Sequence, residues 1–125
     1  MKRAFEFTGR VRSFRYAFAG IGTMLKSQHN AWIHAAATIG VLSAGWGWRI
    51  NRVEWCVLAL AVMAVWTAEA LNTAFEFLAD ATSPKFHPLI KHAKDVAAGA
   101  VLMSAIGSVV IGLIIFLPKL LTSIP

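Results

Sequence analysis

The stretch Thr67-Ala68-Glu69-Ala70-Leu71-Asn72-Thr73-Ala74-Phe75-Glu76-Phe77-Leu78-Ala79-Asp80 closes an apolar run that begins at Trp55. Glu69, Asn72, Glu76 and Asp80 follow the spacing i, i+3, i+7, i+11, which sets them on one face of an α-helix. The rest of that helix is apolar. Of the 125 residues, 58% are hydrophobic and only 14% are charged, too apolar a balance for a soluble domain of this length. The surplus must face lipid. A bilayer core about 30 Å thick takes roughly 20 helical residues, and three stretches qualify: Ala31 to Trp48, Trp55 to Leu78 and Val96 to Leu117.

The expected fold is therefore an all-α integral membrane protein with three transmembrane helices, in one membrane-embedded domain over residues 1–125. Before the first span, Phe5, Phe7, Val11, Phe14, Phe18, Ile21 and Leu25 recur at roughly helical spacing among Arg10, Arg12, Arg15 and Lys26. This describes an N-terminal amphipathic surface helix over about 5–27, apolar side toward the acyl boundary and basic side toward headgroups. Pro88 is placed to start the third spanning helix, because proline is tolerated in a first turn.

The formal charge of +6 is not a nucleic-acid signature, since the cations flank the apolar runs and are not interleaved with stacking aromatics. Lys2, Arg3, Arg10, Arg12, Arg15 and Lys26 precede the first span, and Lys85, Lys91 and Lys94 lie between the second and third. Arg49, Arg52 and Lys119 fall on the other side. The positive-inside rule then puts the N-terminus in the cytoplasm. Trp32, Trp46, Trp48 and Trp55 mark the membrane interfaces as anchors. The first 30 residues alternate charge with aromatics and do not read as a cleaved signal. Cys56 has no partner for an internal disulfide and reads as a small apolar filler.

Ionisable groups within a membrane helix cost on the order of a few kcal/mol each, so a row of them points to function. Glu76 lies eight residues before Pro84 and Lys94 six after Pro88, which brings them to similar depths. The third span can thus present Lys94 and Asp95 to the acidic stripe. Such a set can hold a divalent metal and a polyphosphate while one carboxylate takes a proton. A network of buried ion pairs is the structural alternative, but Lys94 cannot neutralise Glu69, Glu76, Asp80 and Asp95 together. Proton or ion translocation is the other functional class, and against it nothing comparable continues through the outer half. His87 and His92 are five apart and share no helix face. His34 reads as a polar core or interface histidine.

The run from Ala68 to Glu76, with Asp80 and the later segment His87 to Leu102 containing Ala93-Lys94-Asp95, closely resembles the prokaryotic diacylglycerol kinase and undecaprenol kinase family. The resemblance extends from Arg12 to about Lys119 and rests on the specific motif E-x-L-N-[ST]-A-x-E. It implies transfer of the γ-phosphate of ATP to a lipid alcohol, undecaprenol or diacylglycerol, at the bacterial inner membrane, by a homotrimer with sites shared between subunits. It also implies that Glu69 is the general base, that Glu76 ligates magnesium, and that Asn72, Lys94 and Asp95 hold nucleotide and metal. Tyr16 and His87 match positions near the nucleotide. Gln28 stands where most members carry a second metal-binding glutamate, and the N-terminal arginine of the family is displaced by one residue, leaving Arg10 and Arg12 as candidates. The segment from His87 and the ending Gly112 to Lys119 resemble the undecaprenol kinases more than the enterobacterial diacylglycerol kinases.

Overall fold

The computed structural model describes residues 7–124, which form four helices: α1 (Phe7–Ser27), α2 (His29–Gly47), α3 (Arg52–Thr82) and α4 (Pro88–Thr122). Phe5 and the cations Lys2 and Arg3, assigned above to the surface helix and its flank, lie outside the described residues. α3 and α4 are long and apolar enough to cross a membrane. At about 1.5 Å per residue, the 31 residues of α3 and 35 of α4 run past the spans expected at 55–78 and 96–117. α2, 19 residues with His29, Asn30, His34 and Thr38 among them, does not join that class.

α1 runs unbroken through Gly20 and Gly22. It is separated from α2 by Gln28 alone, whose extended backbone (φ −109°, ψ 118°) makes it the N-cap of α2. The Gln28 N–H still bonds back to the Met24 carbonyl at 3.0 Å, so the chain turns sharply with little loss of backbone pairing. Most of α1 is exposed, with Phe14, Tyr16 and Phe18 outward and Met24 buried.

The turn between α2 and α3 is fixed by a reciprocal cap. Asn51 Oδ1 accepts from the Glu54 N–H and Glu54 Oε2 accepts from the Asn51 N–H, both at 2.9 Å, satisfying two donors that a helix start leaves unpaired. Arg49 takes the left-handed conformation (φ 50°) that the tight turn requires. Lys119 Nζ pairs with Glu54 Oε1 at 3.1 Å, tying the end of α4 to the start of α3.

α4 opens at Pro88, as the sequence predicts, with His87 as its N-cap. It packs along α3 as an antiparallel partner, and Ser108 Oγ donates to the Ala61 carbonyl at 3.1 Å between them. Ile50, Leu58 and Ile115 form a buried apolar cluster with Val41, Trp55, Ile111 and Phe116 around it. This cluster sits beside the Arg49–Asn51 turn, and its nearest α3 member, Leu58, is on the order of 16 Å along the helix from Glu69 at helical rise. Gly45 is buried under Trp55, and an added Cβ there would lie 2.8 Å from the indole and 3.0 Å from Ile50. Trp55 is thus a packed side chain and not a free interfacial anchor, whereas Trp32 and Trp46 are exposed. Cys56, read as a filler, is exposed instead.

Candidate active site

Glu69 is 0% exposed, an acidic side chain buried inside a single protomer. With Asn72 and Thr73 it forms the buried polar part of α3. His34 Nε2 approaches Glu69 Oε2 to 3.3 Å from α2. The approach is close but off-line, since His34 Nε2 and both Glu69 oxygens are buried without a hydrogen bond. Thr73 Oγ1 donates to the Glu69 carbonyl at 2.8 Å, which satisfies the hydroxyl within the helix.

Two turns along α3, Glu76 is held by two amides. Gln28 Nε2 donates to Glu76 Oε2 at 2.6 Å, and Asn72 Nδ2 donates to Glu76 Oε1 at 3.2 Å. The break between α1 and α2 is what brings Gln28 here. Asn72 Oδ1 is buried with no partner. Turning the Gln28 amide over would present a second carbonyl-type oxygen beside it. A carboxylate with two amide oxygens suits a hard divalent cation, and magnesium usually takes one or two carboxylates while phosphate and water complete its shell. Among the described residues no three acidic, histidine or cysteine side chains gather in metal-binding geometry. The described residues therefore gather an open, oxygen-rich set around Glu76 and not a closed cage.

Lys94 reaches the end of the stripe and pairs with Asp80 at 3.1 Å. Asp95, expected to face the acidic stripe beside it, turns to Lys91 at 2.6 Å on the exposed side of α4. Adjacent helical residues point about 100° apart, so Lys94 and Asp95 do not serve one face together. His87 Nδ1 accepts from the Leu89 N–H at 3.2 Å, which leaves the ring proton on Nε2. Tyr16 is 67% exposed and Arg12 is exposed beside it on α1, and no hydrogen bond or ion pair joins either to Glu76. An apolar groove of about 840 Å³ between α3 and α4, walled by Leu60, Met63, Leu71, Phe75 and Val96, ends against Asn72.

Sequence reading missed the side chains that fasten α2 to this site. Trp66 Nε1 donates to Thr38 Oγ1 at 3.0 Å, and Thr38 Oγ1 donates to the His34 carbonyl at 2.7 Å. The His34 ring stands edge-on to Trp66, with centroids 6.2 Å apart. The available signal was charge balance: the acids outnumbered Lys94, and His34 was the uncounted polar group on a neighbouring helix.

A family model for prokaryotic diacylglycerol kinase matches residues 15–116. The chain is 43% identical over 115 residues to the undecaprenol kinase of Bacillus subtilis (strain 168), covering 92% of this chain and 94% of that protein. It is 41% identical over 111 residues to the diacylglycerol kinase of Synechocystis sp. (strain ATCC 27184 / PCC 6803 / Kazusa), covering 88% and 63%. With the diacylglycerol kinase of Escherichia coli (strain K12) the identity is 29% over 112 residues, covering 83% and 85%.

Proposed function

The chain belongs to the prokaryotic diacylglycerol kinase family, a family of lipid kinases, and from that premise we propose that it transfers the γ-phosphate of ATP to the hydroxyl of a membrane lipid. The acceptor is undecaprenol or diacylglycerol, with undecaprenol favoured by the 43% relative. The observation that carries this reading is the convergence of Gln28 and Asn72 on Glu76, two helical turns from the buried Glu69. One end of the stripe suits a cation and phosphates, and the other suits a base.

In this reading Glu69 accepts the proton of the lipid hydroxyl as the lipid oxygen bonds to the γ-phosphorus. The bond from that phosphorus to the β-phosphate bridging oxygen breaks, and ADP leaves. Glu76, Gln28 and Asn72 would hold Mg²⁺, which would offset the phosphate charge when bound. Lys94, released from Asp80, meets the phosphates as a cation, and Asp95, His87, Tyr16 and Arg12 take part in holding nucleotide. Phosphoryl transfer depends on positioning and charge far more than on covalent chemistry, which matches a site of this composition. The apolar groove beside Asn72 receives the hydrocarbon chain of the acceptor.

The finer architecture belongs to the same proposal. α2 is the third span, α1 lies on the membrane surface, and the N-terminus is cytoplasmic in the bacterial inner membrane. One protomer leaves Tyr16 and Arg12 away from Glu76, so the complete site forms between subunits of a homotrimer. Small residues on α4, among them Gly99, Ala100, Gly107 and Ser108, allow close helix approach.

The test is phosphate transfer from γ-labelled ATP, with and without Mg²⁺, to undecaprenol, short-chain diacylglycerol and ceramide in bilayers. Transfer to one alcohol identifies the acceptor, and transfer to none overturns the kinase reading.

A further inference from the structure

We propose that His34 is a positioning residue for the base: its Nε2–H holds Glu69 Oε2 so that Oε1 is left to face the lipid hydroxyl. The inference rests on the reading of Glu69 as the base. It starts from an oddity of the protomer, in which a wholly buried carboxylate has neither oxygen hydrogen-bonded. An ionised carboxylate offers about four lone-pair sites, and burying it without donors is expensive. Nε2 of His34, itself buried and unbonded, stands 3.3 Å from one of those oxygens. A small turn of the ring converts the contact into a hydrogen bond.

The ring is held so that only such a turn is needed. Trp66 lies three residues before Glu69 on α3, and its indole N–H fastens Thr38, whose hydroxyl bonds the His34 carbonyl. The Trp66 and His34 rings also meet in a T-shaped arrangement, their planes at 70°. One helical turn of α3 therefore carries both the carboxylate and the brace that sets the histidine opposite it. A base must direct one lone pair at the proton it removes, and a carboxylate free to rotate loses that direction. His34 supplies the restraint from the other side while touching no substrate.

The test compares His34→Ala, His34→Gln and His34→Asn, each alone and combined with Glu69→Gln. Turnover and KM for the lipid are measured on trimer-sized fractions from size exclusion. Gln carries an N–H at about the reach of Nε2, whereas Asn keeps polarity but stops short. His34→Ala and His34→Asn should lower turnover by about tenfold to a hundredfold, the scale of a catalytic group misplaced by an ångström, with KM within about twofold. His34→Gln should recover to within about threefold of the parent. In the Glu69→Gln background all three should be silent, because no base is left to aim. Full turnover in His34→Ala, equal loss in Gln and Asn, or a loss that multiplies with Glu69→Gln overturns the positioning role. Undiminished turnover in Glu69→Gln alone overturns the base reading itself and is seen without any His34 variant.

Discussion

Gln28 and Glu76 meet at 2.6 Å across forty-eight positions of sequence, an amide donating to a carboxylate at the one-residue break between α1 and α2. Replacing that amide by a second carboxylate sets two like charges at hydrogen-bond distance, unfavourable alone and favourable around a divalent cation. Gln28→Glu should lower the Mg²⁺ concentration for half-maximal rate severalfold, roughly the effect of one added ligand charge. It should also lower the melting temperature without Mg²⁺ and enlarge the rise on adding it. An unchanged Mg²⁺ requirement would take position 28 out of the metal site.

Glu69→Gln keeps the shape of the side chain and removes the base. Turnover should fall on the order of 10²- to 10⁴-fold, the span of general-base contributions. Because the carboxylate is buried without a hydrogen bond, losing its charge should leave thermal stability equal or higher. Loss of both activity and folding would mean the residue serves the fold.

Gly45 gives a prediction far from the chemistry. Its added Cβ would meet the Trp55 indole at 2.8 Å and Ile50 at 3.0 Å, so the indole must shift to admit it. Gly45→Ala should destabilise the bundle by about 1–3 kcal/mol through overpacking, read as an earlier midpoint in a denaturing-detergent titration. The catalytic rate of the folded fraction should be unchanged.

The shared-site proposal is checked by subunit mixing. Glu69→Gln protomers and Tyr16→Ala protomers should each be inactive, and co-assembled mixtures should regain part of the activity, since some trimers then contain one intact composite site. Proven co-assembly with no recovery at any ratio would assign a full site to each protomer.

How much of this was legible depended on whether the relation lay within one helix. The stripe Glu69, Asn72, Glu76, Asp80 was legible because a helical period relates its members, and the α4 start was legible because Pro88 fits only a first turn there. The meeting of Gln28 with Glu76 lies between helices, and only the resemblance pointed at position 28. His34 was read alone for the same reason, its partner being on α3. Asp95 shows the limit of reading two adjacent residues as one group, since it pairs with Lys91 along α4. Its neighbour Lys94 already occupied the inward direction, and helical geometry alone sends the next residue elsewhere.

The apolar cluster of Ile50, Leu58 and Ile115 gathers at the turn remote from Glu76, whereas toward Glu76 α2 and its N-cap meet α3 through polar side-chain contacts: Gln28 with Glu76, His34 with Glu69, Trp66 with Thr38. The pair of helices is built like tweezers, closed at one tip by material that water cannot replace and held at the other by contacts that water or a ligand can. Backbone amides near residues 41–58 should accordingly exchange with deuterium last, and those of 29–38 earlier, with nucleotide and Mg²⁺ slowing only the second group.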